Sequence, residues 1–113
     1  MHELSLAMDV VDLVLGEAEK KKVSSVLEVE IEIGDISGVE YETFRTAMEI
    51  SVKGTLLEST VLQLNRVKGM GKCSNCSHVF EMEQRVALCP LCSHFAGKII
   101  SGTEFRIVSL IVE

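Results

Sequence analysis

The sequence predicts an α+β fold: a small three-stranded sheet with two helices, interrupted by an inserted cysteine module. Three observations carry this. Apolar residues recur at helical spacing over residues 3–22. Residues 26–33 alternate apolar and acidic, and a helical pattern separates them from a second strand pattern near 59–67. All four cysteines fall in two C-x2-C pairs between residues 73 and 92, with Gly69-Met70-Gly71 ahead of them and Ser101-Gly102-Thr103 behind. The organisation that follows is one α+β domain, residues 1–67 plus 103–113, carrying an insert at 68–102.

Taken in order, Leu4, Ala7, Met8, Val11, Val14, Leu15 and Ala18 form one stripe of the first helix. Glu3 in its first turn and Lys20-Lys21-Lys22 in its last complement the helix dipole. Leu6, Val10 and Leu13 lie off the stripe and suggest a second buried face, a homodimer contact. In the first strand Leu27, Val29, Ile31 and Ile33 point one way, and Glu28, Glu30 and Glu32 the other. Ser37-Gly38-Val39-Glu40 has the S-x-x-E pattern of a capping box opening a second helix. That helix places Tyr41, Phe44, Met48 and Val52 on one face and closes at Lys53-Gly54. Leu62 and Leu64 alternate in the next strand, so strand–helix–strand predicts two parallel neighbours. Phe105 to Val112 is a third strand, apolar on both faces and therefore expected to be covered on both.

The chain has 113 residues, 47% of them apolar, which suffices for a packed core. Its formal charge of −6 counts against a phosphate-binding surface, so no nucleic-acid partner is expected. Residues 68–102 carry four basic and two acidic groups (+2), and the remainder seven and fifteen (−8). No apolar run approaches the roughly 18 residues that a membrane span needs. Glu3, Asp9 and Asp12 interrupt the start and no positive segment precedes it, so neither an export signal nor a membrane association is expected. The expected location is cytoplasmic.

Cys73, Cys76, Cys89 and Cys92 read C-x2-C-x12-C-x2-C, the paired spacing of a zinc ribbon. Each pair presents two thiolates to one tetrahedral ion, and Zn(II) accepts thiolate sulfur without a geometric preference of its own. Four protein ligands leave no open position, so the site is structural. Disulfides would need an oxidising compartment, and a redox pair would need one C-x-x-C at a helix start. An insert of this size cannot build a hydrophobic core alone, and its folding is expected to come from the metal. Each pair continues to a histidine, His78 or His94, so C-x2-C-x-H occurs twice. These histidines either sit in the turns or exchange with the thiolates as pH changes. The five methionines are scattered and read as core residues.

The chain opens Met1-His2-Glu3. Because His2 is not small, Met1 is expected to be retained. Its α-amine, the His2 amide nitrogen and the His2 imidazole Nδ1 then form linked chelate rings, with Glu3 or water in a fourth position. Such a nitrogen-rich plane suits Ni(II) or Cu(II).

Met1-His2-Glu3 ahead of a helix, one strand–helix–strand unit, Cys73-x2-Cys76 and Cys89-Pro90-x-Cys92, and the return at Ser101-Gly102-x-Glu104-Phe105 together resemble the HypA/HybF family of nickel metallochaperones over essentially the whole chain. The resemblance implies transient Ni(II) at His2 and structural Zn(II) at Cys73, Cys76, Cys89 and Cys92. It implies a GTPase partner, HypB, and delivery of nickel to the large subunit of [NiFe]-hydrogenase, with relatives in some organisms also serving urease and its accessory proteins. It implies no catalytic turnover of the chain's own. The repeated C-x2-C-x-H resembles members in which the zinc ligands rearrange. Some members carry an acidic residue near the nickel site, which Glu40 matches by position, although Glu40 is better explained as a helix cap. The alternative is a zinc-ribbon adaptor that binds nucleic acid or a large assembly.

Overall fold

The computed structural model describes residues 2–113. Its elements are α1 (Glu3–Lys20), β1 (Val26–Gly34), α2 (Tyr41–Ser51), β2 (Val61–Val67), β3 (Met70–Cys73), β4 (Val79–Glu81), β5 (Ala96–Ser101) and β6 (Phe105–Val112). They form two three-stranded sheets, ordered β2-β1-β6 and β4-β3-β5. β1 pairs parallel with β2, as the strand–helix–strand order requires, and antiparallel with β6. The second sheet lies wholly between β2 and β6 in sequence and is antiparallel throughout. The molecule is elongated, 55 × 23 × 18 Å.

The larger core joins α1, α2 and one face of β1. Ala7, Val10, Val11, Val14 and Ala18 meet Val29, Ile31, Ile33, Phe44, Ala47 and Met48. Phe44 is fully buried and meets the edge of Phe105 at 5.2 Å between ring centres. The opposite face of β1 is polar. There Glu30 accepts from the side chains of Asn65 (2.7 Å) and Ser109 (3.0 Å), and Glu32 pairs with Arg106 at 2.7 Å. A sheet with helices on one side only needs this polar alternation on the other.

Several details differ from the sequence expectation. The buried face of α1 is turned toward Val10, while Met8 is 53% exposed and is not a core residue. Val10 and Leu6 pack within the chain's own core, so they do not require a second subunit. Leu27 is exposed and Val26 buried, because a register shift between Val26 and Glu28 breaks the alternation. A second shift lies beside Val108, so Phe105, Ile107 and Leu110 face the core while Val108 and Ile111 are exposed. β6 is therefore covered on one face, not two; a bulge reverses the phase of a strand midway, which a period of two cannot reveal.

The opening of α2 also differs. Glu40 is itself the N-cap, its carboxylate accepting from the Thr43 amide at 2.6 Å, and Ser37 accepts from Val39 in the preceding turn. The Glu40 amide in turn donates to the Glu3 carboxylate at 3.0 Å, tying the start of α1 to the start of α2. The Glu40 amide holds the Glu3 carboxyl below the ordinary carboxylate value, and the Thr43 hydroxyl and amide do the same for Glu40. Carboxyls lowered in the folded state stabilise it above their unfolded value of about 4.3, and that contribution disappears as pH falls through the lower folded values. An NMR carboxyl titration should find both midpoints below that of glutamate in an unstructured peptide, and the stability of Glu40→Gln, measured by thermal unfolding across the acid range, should fall less with pH than that of wild type. Peptide-like midpoints for both residues would refute the two contacts.

Candidate metal centre

Each C-x2-C pair sits in the same turn. Cys73 ends β3, its carbonyl accepts from the Ser77 amide at 3.1 Å, and its amide donates to the His78 carbonyl at 2.9 Å. Cys89 repeats the pattern with Ser93 at 2.9 Å and His94 at 2.7 Å. Both turns need a residue of left-handed backbone after the second cysteine, filled by Ser77 (φ 64°) and Ser93 (φ 66°). A side chain there costs roughly 1–2 kcal/mol, which is tolerated where other contacts dictate the turn. The Asn75 amide donates to Cys73 Sγ at 3.3 Å and the Leu91 amide to Cys89 Sγ at 3.4 Å, so sulfur is the acceptor that the turn amides find. Neither pair opens a helix, unlike a redox C-x-x-C.

The two turns face each other. All four sulfur atoms lie within 4.8 Å of one another, the one such group of potential metal ligands among the described residues. Cys73 and Cys92 approach to 3.4 Å between sulfurs, and Cys76 and Cys89 to 3.6 Å. The cysteines are free, not joined as disulfides. A tetrahedral ion bound to sulfur at about 2.3 Å separates its ligands by roughly 3.8 Å, so the cluster fits a zinc site. The first cysteine of each pair is buried (2% exposed), and the second lies nearer the surface.

Without a cation the four thiols cannot ionise together. Cys92 is drawn down to about 5, first by the His94 amide and then by the Cys73 thiol. Cys76 is pushed up to about 12: the His78 amide favours its thiolate, but desolvation and the other three sulfurs together outweigh that pull. A divalent cation held by the four sulfurs would offset this opposition.

The histidines of the repeat lie outside the cluster. His94 Nδ1 is 3.3 Å from the Cys92 carbonyl oxygen, and the His78 ring stacks on Phe80 with centres 6.1 Å apart. Phe80 and Met82 form a small core under Cys73 and Cys89, with Ala87, Ala96 and Ile99 against it. Sequence reasoning missed this core. Its signal was faint: one aromatic and one methionine two residues apart on a three-residue strand and its exit.

His2 is exposed and caps α1 through its backbone, with φ −93°, ψ 87° and no side-chain capping bond. Its carbonyl accepts from the Leu6 amide at 3.0 Å. His2 belongs to the α+β body and is not part of the four-sulfur group. Met1, whose α-amine the sequence assigns to a metal, lies outside the described residues.

These features match known proteins closely. The family model described as "Hydrogenase/urease nickel incorporation, metallochaperone, hypA" matches residues 1–112. Hydrogenase maturation factor HypA of Parabacteroides distasonis is 38% identical over 113 residues, covering all of this chain and 98% of that protein. The HypA of Geobacter sulfurreducens is 36% identical over the full length of both. The solution structure of the Ni metallochaperone HypA from Helicobacter pylori superposes with a TM-score of 0.64 at 27% identity, covering 99% of this chain and 97% of that one. With its helices, sheets and sulfur cluster in place, the chain belongs to the HypA family, the nickel metallochaperones of hydrogenase maturation.

Proposed function

We propose that this chain holds Zn(II) at Cys73, Cys76, Cys89 and Cys92 as a structural ion and carries Ni(II) as cargo at its start, with His2 as a ligand. The family match over residues 1–112 is the observation that carries this reading. The local backbone supports it. The leading amides of an α-helix have no intrahelical acceptor, so those of His2 and Glu3 are available as nitrogen ligands once deprotonated. The His2 imidazole makes no capping bond that binding would break. One Glu3 carboxylate oxygen is committed to the Glu40 amide, which leaves the Glu3 amide nitrogen better placed than its carboxylate as the fourth ligand.

Zinc, when bound, supplies positive charge and a four-way cross-link. The thiolates, the amides that donate to them and the two serine turns supply the rest. Nickel leaves by ligand exchange, with no turnover by this chain. Delivery uses the GTPase partner HypB and ends at the large subunit of [NiFe]-hydrogenase. Urease accessory proteins are a second destination consistent with the family description. No described helix is long and apolar enough to cross a membrane.

Metal analysis should find one zinc per chain. Cys73→Ser or Cys89→Ser should release it, withdrawing a binding free energy of about 10–16 kcal/mol. Amide signals of residues 70–101 should then collapse while those of α1 persist. Dispersed module signals without metal would show that the Phe80–Met82 core suffices alone. For nickel, His2→Gln, or any residue added ahead of Met1, should abolish stoichiometric Ni(II) binding while zinc remains. Unchanged nickel stoichiometry would remove the proposed site. Loading needs a deprotonated amine and amide, so nickel affinity of the protein with its native start should weaken as pH drops below about 7. Calorimetric titrations giving equal affinity on either side of that value would contradict the amine–imidazole ligand set.

A further inference from the structure

Three backbone segments cross where the second sheet joins the first, and each crosses at a glycine: Gly34 at the end of β1, Gly69 between β2 and β3, and Gly102 between β5 and β6. A Cβ on Gly34 would strike the Gly102 carbonyl, and one on Gly69 would strike the Met82 carbonyl. A Cβ on Gly102, where φ is +106°, would stand 2.5 Å from the Gly69 Cα. The neck is therefore bare backbone on backbone, with no interlocking side chains from the three crossing residues. Ile36 lies against Gly69 and Gly102 and is 4% exposed, yet it belongs to neither hydrophobic cluster. Its amide donates to the Gly102 carbonyl at 2.9 Å. Among the described residues no hydrophobic cluster spans the neck to fix its angle.

Arg85 does span it. It lies between β4 and the second cysteine turn, 49 and 48 residues from its partners. Its Nε donates to the Ile36 carbonyl at 3.0 Å and its Nη2 to the Ser37 carbonyl at 3.3 Å. Among the described residues it is the one side chain of residues 70–100 that hydrogen-bonds outside the cysteine module. The planar guanidinium fork holds two consecutive carbonyls in one fixed geometry, whereas an ammonium offers rotatable donors from a single point.

We propose that Arg85 is a clasp that holds the cysteine module at a fixed angle to the α+β body across a neck of three glycines. Opened, the clasp leaves two folded parts joined by a pivot. The carbonyls it grips belong to the loop that leads into Glu40, whose amide binds Glu3 beside the chain's start. The module's angle is thus referred to the frame that presents His2. The clasp does not rest on which metal either end carries.

The test is 15N relaxation on the zinc-loaded full chain. Wild type should tumble as one anisotropic body, the module and α1 sharing a single diffusion tensor. Arg85→Ala should keep one zinc per chain and lose the shared tensor, with amides of 70–101 reporting a shorter correlation time than those of α1. Arg85→Lys, which keeps the charge but not the fork, should fall between the two and guards against a loss of folding in the alanine variant. A wild type that already shows two tensors, an alanine variant that keeps one, or a lysine variant as rigid as wild type would each overturn the clasp.

Discussion

Sulfur crowding is the constraint on which the inserted half of the molecule depends. Four cysteine sulfurs converge within 4.8 Å, and like charges at that separation oppose one another. Everything near them is scaled to that convergence: two serines in left-handed turns, amides aimed at sulfur, and a core reduced to Phe80, Met82 and their few neighbours. Such a core is too small to hold three short strands by apolar burial alone. Under the proposed function a cation that satisfied the sulfurs would also settle the fold, making binding and folding one event in this half.

The other half is held by ordinary burial, and its polar contacts serve position. Glu3, Glu40 and Thr43 form a short relay that brings the first turns of both helices together. The first residues of a chain usually fray. Here Glu3 is anchored within one residue of His2, so a side chain at the very beginning is presented from a defined frame.

Long periodic segments were the most legible in the sequence. The parallel pairing of β1 with β2, the face of α2 and the bounds of β6 follow from spacing alone. The sulfur cluster was legible because two matched knuckles have few other uses. What was not legible arises from breaks in period. Register shifts at Val26–Glu28 and near Val108 change which side chains turn inward, and no local residue announces them. Met8 and Val10 exchange roles because the helix is rotated by its packing on α2, a tertiary effect. Glu40 caps by itself, although the S-x-x-E spacing also suits a reciprocal box. Nothing in the sequence marks Arg85, since its two acceptors are backbone carbonyls nearly fifty positions away.

The point of insertion has a consequence for how such a molecule can be assembled or taken apart. Val67 and Phe105, where the chain leaves and re-enters the first sheet, flank the same end of β1, opposite Gly34 and Ile33. With strands about 4.8 Å apart, the gap between those two edges is only on the order of 10 Å. A turn of a few residues could close it. The sulfur-bearing arm is therefore a detachable appendage in topological terms: ancestry or engineering can splice it in, excise it or exchange it without rethreading a single strand of the platform beneath.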